Sequence, residues 1–202
     1  MCWSCSIYPK RTRKNLWGYV MGRRPVLILF QQLTSATVRK AQRISNDAPT
    51  GGGARDLRLR PHDQFLPIME RMLPEIRTES RPSGETLTIR QGLVTWGDGH
   101  QAQEIEYWPP TNARPGEGRI AKISSLPPLS VPPEVLAGSV ILFVQDEDGR
   151  IWVRYATDEG LRDSLPEVGE LIRNCIRNAP SNRIASGYID FSPSGLGSYC
   201  NM

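Results

Sequence analysis

Lysine and histidine are scarce in this chain of 202 residues: four lysines, at positions 10, 14, 40 and 122, and two histidines, His62 and His100. Neither histidine has a Ser, Cys or carboxylate at a spacing that would build a catalytic triad. Cys2 and Cys5 form one Cys-x-x-Cys pair, but zinc needs a second pair of ligands at short spacing, which Cys175, Cys200 and the isolated histidines do not supply. Four cysteines so placed fit free thiols in a reducing compartment. No apolar run exceeds five residues, Val26 to Phe30 being one of that length. A membrane span needs about 18, and no small-residue cleavage pattern follows the run, so a cytoplasmic protein is expected. Thr50 to Gly53 is not followed by Gly-Lys-Ser/Thr, which excludes a phosphate loop. Carboxylate–metal nuclease chemistry needs paired acids and usually a lysine on neighbouring strands. Lys122 has Ile120, Ala121 and Ile123 beside it instead. Asp146, Glu147 and Asp148 adjoin one another, but at a hairpin tip, where they read as a solvated turn. No catalytic constellation is complete, and no metal or cofactor is implied.

What the chain does have is arginine, unevenly spread. Arginine supplies 21 of the 25 cations. Residues 1–60 hold 12 Lys or Arg against 2 Asp, a balance of +10, whereas residues 61–202 hold 13 against 19, a balance of −6. Such asymmetry favours a localised anion-binding face. The planar guanidinium suits two-pronged contacts to guanine edges and phosphates, although a GC-rich genome also raises arginine over lysine.

Two loops concentrate this charge. In the first, Gly51, Gly52 and Gly53 form a flexible apex surrounded by Arg39, Lys40, Arg43, Arg55, Arg58 and Arg60. A positive, glycine-tipped projection suits a nucleic-acid backbone; taken alone, it also describes an ordinary solvated loop. The second runs from Thr111 to Lys122 and presents Asn112, Arg114, Glu117, Arg119 and Lys122. Asn can read adenine, Arg guanine, and Glu can accept from cytosine. Together the loops make two basic projections from one scaffold, able to grip a groove from both sides.

The scaffold reads as mainly β (α+β): a seven-stranded open pseudobarrel with two short helices. Residues 1–35, with Lys10 to Lys14 and Arg23-Arg24 among Trp and Tyr, read as a basic, partly disordered extension. The folded domain is expected over 36–180 and a tail or linker over 181–202. Strands are expected at 37–44, 54–59, 86–96 (with a bulge at Gly92), 104–108, 118–123, 139–145 and 151–156. Helical spacing appears at 62–73, through Phe65, Leu66, Met69, Met72 and Leu73. It recurs at 166–177, through Val168, Leu171, Ile172, Cys175 and Ile176. His62 reads as a cap near a helix start.

Several segments together resemble the N-terminal DNA-binding domain of EcoRII-type restriction endonucleases, a prokaryotic relative of the plant B3 domain. They are Arg43-Ile44-Ser45-Asn46-Asp47 with Thr50-Gly51-Gly52, then Phe65 to Pro74, then Ile105-Glu106-Tyr107-Trp108 with Arg114 and Gly118-Arg119-Ile120. Gly138 to Phe143, Ile151-Trp152-Val153, Ala156-Thr157-Asp158-Glu159 and Ile184 to Gly197 follow in order, so the similarity covers about residues 36–197. The resemblance implies a B3-like pseudobarrel whose two arms, Arg39 to Arg58 and Asn112 to Lys122, enter the major groove of double-stranded DNA. The family's N-arm histidine after the glycines is replaced here by Gly53 and Ala54, with Arg55 soon after. That departure alters the base sequence to be expected. The family's separate nuclease domain has no counterpart in these residues.

The expected function is therefore sequence-specific DNA binding without catalysis by this chain, in a restriction–modification setting. Arg43, Arg55, Arg58, Arg114 and Arg119 are the expected groove or phosphate contacts, Asn46, Asn112 and Glu117 the base readers, Lys40 and Lys122 mainly phosphate holders, and Arg39 a further DNA-binding residue. The alternatives are a type II restriction endonuclease subunit that cleaves DNA with a partner or through an unrecognised site, and a regulatory interaction module that does not bind DNA.

Overall fold

A computed structural model of the chain describes residues 24–35, 37–38, 56–96, 101–123, 137–164, 166–181, 183–193 and 195–201. Its strands are Pro25–Gln32 (β1), Leu57–Leu59 (β2), Glu75–Ser80 (β3), Thr86–Trp96 (β4), Gln101–Trp108 (β5), Gly118–Ala121 (β6), Val140–Asp146 (β7), Ile151–Ala156 (β8), Ser186–Asp190 (β9) and Ser198–Cys200 (β10). The helices are His62–Met72 (α1), Asp158–Ser164 (α2) and Pro166–Asn178 (α3). The protein is mainly β, with the sheet curled into an open half-barrel. Along the sheet the order is β10-β9-β1-β7-β8-β4-β5-β6-β2, and β3 also pairs with β4.

β1 and β7 are the centre of the fold because both of their faces are covered. Leu27, Leu29, Ile141 and Phe143 point to one side, where Phe65, Ile68, Met69 and Leu73 of the α1 segment meet them. Ile28, Phe30, Leu142 and Val144 point to the other, against Leu161 of α2 and Ile172 and Cys175 of α3. A strand buried on both faces reads as a continuous apolar run instead of an alternation. The folded domain therefore includes β1 from Pro25 and does not begin at 36, and the run beginning at Val26 is a central strand. The expected tail at 181–202 is corrected as well: β9 pairs with β1 and β10 with β9. The ten strands among the described residues exceed the expected seven, the additions including β1, the polar edge strand β3 and the short β9 and β10.

The expected strand at 37–44 is not formed where it is described. Ser35, Thr37 and Val38 are helical. Thr34 Oγ1 accepts from the Thr37 N–H at 3.1 Å, and the Val38 N–H donates to the Thr34 carbonyl. A threonine so placed caps a helical turn, which outweighs the β-favouring Thr and Val. In α3, Ile172 and Cys175 are buried as expected, but Leu171 is exposed. Cys175 and Cys200 form a disulfide, their Cα atoms 5.7 Å apart, in place of the expected free thiols. α3 packs on β9, which brings its buried face to the neighbouring β10. No helix among the described residues is long and apolar enough to cross a membrane.

Gly92 is not a bulge. β4 pairs with β5 in unbroken register from Arg90 to Trp96. On its other edge β4 changes partner around Gly92, pairing with β3 through Gln91 and with β8 from Val94. A Cβ at 92 would lie 2.7 Å from Leu73 Cδ2, so the glycine admits Leu73 to the core. Gly92→Ala is expected to destabilise the protein by about 1–3 kcal/mol through overpacking, read as a lower urea midpoint. An unchanged midpoint would show that Leu73 yields without cost.

Candidate nucleic-acid interface

The two loops singled out in the sequence end on neighbouring strands. β2 follows the first loop and β6 follows the second. They pair antiparallel, Leu57 with Ile120, Arg58 with Arg119 and Leu59 with Gly118. Leu57, Leu59 and Ile120 face the α1 side and are buried. Directly opposed residues share a face, so Arg58 and Arg119 project together from the other side. Gln31 Nε2 of β1 donates to the Arg58 carbonyl at 2.6 Å, tying this end of the sheet to its centre.

With Arg60 and Arg114 this pair makes four guanidinium groups, set against two carboxylates. Glu117 is buried, with 1 % of its surface exposed. Arg60 lies in direct ion contact with its Oε2, while Arg58 Nε is 3.7 Å and Arg114 Nη1 4.0 Å from its Oε1. Among the described residues neither Glu117 oxygen has an aligned hydrogen-bond donor, so these contacts are electrostatic. Asp56, also inward, holds Arg119 Nη1 at 3.3 Å and Arg58 Nε at 3.9 Å. Two positive charges remain in excess. The outer arginines keep solvent-facing edges: the Arg60 side chain is 61 % exposed, that of Arg119 only 15 %. Exposed pairs contribute little stability. Their consequence is positional, because each long side chain is held near a fixed, buried anion.

This arrangement corrects the role expected of Glu117. A buried carboxylate ringed by arginines cannot accept from a cytosine edge; it organises Arg58, Arg60 and Arg114. Arg119 is tied to Asp56 and lies 5.8 Å from the Trp108 ring centre. Asn112 is exposed, and its backbone N–H donates to Glu85 Oε1 at 3.1 Å. Lys122 adopts a left-handed φ of 61° and turns back onto Glu104 and Glu106. Hydrogen bonds to Glu104 and Glu106 raise its pKa. Burial opposes ionisation of Glu106, but hydrogen bonds from Lys122, Trp108 and Arg77 outweigh it and hold its pKa below the ordinary value. Arg39, Lys40, Arg43, Asn46 and Arg55 lie outside the described residues. Arg60, one of the cations around the first loop, belongs to the site, and so do Asp56 and Trp108, which sequence reasoning did not select. Asp56 reaches Arg119 through an ion pair and Trp108 through strand pairing and a ring contact, none of which is recorded in local spacing.

The acidic hairpin tip is likewise more organised than a solvated turn. Asp146 is fully buried and accepts from the N–H groups of Asp148 and Arg150 and from Trp152 Nε1. Among the described residues no group of three or more His, Cys, Asp or Glu is arranged to hold a metal ion.

Beneath the second loop, His62 opens α1 as expected, but its ring does not cap the helix. Nδ1 lies 2.9 Å from the Tyr107 hydroxyl, the rings stack at 5.9 Å, and the His62 N–H donates to the Gly116 carbonyl. Gly118 packs against the same hydroxyl, leaving no room for a Cβ. The loop carrying Arg114 and Glu117 is thus fastened to the helix start. No protein-family model matches the chain, and no curated protein is significantly similar to it.

Burial lowers the His62 pKa from 6.5, with Asp63 opposing more weakly. The unfolded chain then takes up the proton first, so this contribution to stability is complete above pH 6.5 and is lost as pH falls through the lowered folded value. Urea midpoints at about pH 7.5 and about pH 5.5 should differ more for the wild type than for His62→Gln. Equal differences would remove His62 from the acid response.

Proposed function

We propose that the chain binds double-stranded DNA sequence-specifically through two basic arms in the major groove, as the recognition or effector-binding module of a restriction–modification system. The observation that carries this reading is the opposition of Arg58 and Arg119 on adjacent strands, each at the foot of one arm. Both arms therefore join the sheet at its β2–β6 margin, from opposite ends of the antiparallel ladder, and their basic feet share one face. A groove gripped from two sides requires that convergence. The curled, open sheet supports the finer assignment to a B3-like pseudobarrel of the EcoRII type.

In this reading Arg58, Arg60 and Arg114 present guanidinium forks to phosphates or guanine edges, since arginine pairs with both in two-pronged geometry. Asn112 is the exposed base reader on the second arm, joined by Asn46 on the first. Lys122, folded back onto two glutamates, contributes a phosphate contact at the edge. Arg39, Lys40, Arg43 and Arg55 extend the same charge along the first arm. Cleavage, where it occurs, belongs to a separate nuclease domain or subunit.

Selection of bound oligonucleotides, followed by anisotropy titrations on selected and random duplexes, tests the proposal. Arg119→Ala is expected to weaken the selected duplex by about 1–3 kcal/mol if Arg119 reads a base, and all duplexes alike if it holds a phosphate. Binding that is absent or insensitive to salt would end the DNA reading in favour of a protein-interaction module. Plasmid cleavage by the pure chain with magnesium would favour the nuclease.

Glu117→Gln separates positioning from net charge. It adds one unit of positive charge, so charge alone predicts tighter binding to every duplex. Loss of the anchor for Arg58, Arg60 and Arg114 predicts weaker binding to the selected duplex, which is the expected result.

A further inference from the structure

Arg81 differs from the other described cations on this face. Arg58, Arg60, Arg114, Arg119, Arg77 and Lys122 each lie within ion-pair distance of a carboxylate. Arg81 has no carboxylate partner among the described residues, and its guanidinium carbon lies 5.7 Å from the centre of the Trp108 ring. A cation–π contact orients a guanidinium without cancelling its charge. The Trp108 ring is itself held, because its Nε1 donates to Glu106 Oε2 at 2.9 Å. Arg77 shares the ring, but Glu79 and Glu106 compensate its charge.

The backbone fixes the position of Arg81. The turn between β3 and β4 is closed by the Arg81 N–H donating to the Glu85 carbonyl and the Gly84 N–H donating to the Arg81 carbonyl, both at 2.9 Å. Gly84 takes a φ of 80°, where a side chain would be strained. Glu79, the nearest acid in sequence, is paired with Arg77; Glu85, at the other side of the turn, accepts from the Asn112 N–H, so the hairpin is tied to the second basic loop. Arg81 and Arg119 reach the same indole, from the β3–β4 turn and from β6. The basic face thus continues from Arg60 and Arg58 across Arg119 and Trp108 to Arg81.

We infer that Arg81, laid on Trp108, is a phosphate contact for bound DNA at a third place, outside both arms. The inference rests on the DNA-binding reading and extends its footprint to the β3–β4 hairpin. The recognised chemistry is a backbone phosphodiester of the duplex held by the arms. A phosphate contact carries no base information, so its loss weakens selected and random duplexes alike.

The test is a salt titration of duplex binding by the full chain, comparing wild type with Arg81→Ala, Arg81→Lys and Arg60→Ala. Arg81→Ala is expected to lower affinity about 5- to 10-fold on every sequence, and to reduce the slope of log affinity against log salt by about 0.9, the share of one phosphate. Arg81→Lys should keep the slope and lose part of the affinity, because an ammonium lacks the planar stack. If Arg81→Ala matches wild type in affinity and slope while Arg60→Ala weakens binding, the contact at the third place is overturned and the two-arm reading stands. If wild type shows no salt-dependent binding, both fall. An unchanged thermal midpoint for Arg81→Ala assigns its loss of affinity to the contact and not to folding; a lowered midpoint together with restored affinity in Arg81→Lys gives the same assignment.

Discussion

Leu57 opposes Ile120, Arg58 opposes Arg119 and Leu59 opposes Gly118, and this short ladder joins segments far apart in the chain. Everything about the basic face depends on it. On the inner side it seals the core with Leu57, Leu59 and Ile120. On the outer side it sets two arginines next to each other, an arrangement that repels unless anions intervene. Asp56 and Glu117 intervene from below the surface, where their charges are weakly screened. Repulsion among the arginines thereby becomes a fixed geometry with a residual positive charge.

The sheet divides its work along its length. At the β1–β7 end both faces are buried, one under α1 and the other under α2 and α3. At the β2–β6–β5 end only the α1 side is closed by apolar residues. The opposite side carries Arg58, Arg119 and Trp108. A rigid, doubly covered centre thus supports an open, charged margin. His62 and Tyr107 link the two, since one opens α1 and the other lies in β5, and together they fasten the loop that delivers Glu117 and Arg114.

Where the sequence pattern follows a single buried face, the elements are legible. The spacing of Phe65, Met69 and Met72 marks α1, and the alternation through Leu87 and Ile89 marks the first half of β4. Where that condition fails, so does the reading. β1 shows no alternation because it has no solvent face, and β3 is nearly all polar because it has little buried face. Thr37 and Val38 favour strand locally, but Thr34 captures them in a helical turn. Gly92 resembles a bulge in sequence, yet its cause is Leu73, a residue distant in the chain.

The amino-acid sequence by itself determined the surplus of arginine, its concentration before residue 61, the two glycine-bearing basic loops and the apolar stripes of α1 and α3. These follow from residue type and local spacing, which need no partner to be read. The tertiary structure alone decided which arginine meets which carboxylate, that Glu117 lies inside, and that Trp108 gathers Arg77, Arg81 and Arg119. Such pairings depend on strand register and sheet curl, and a charge in a sequence carries no record of the neighbour that will compensate it.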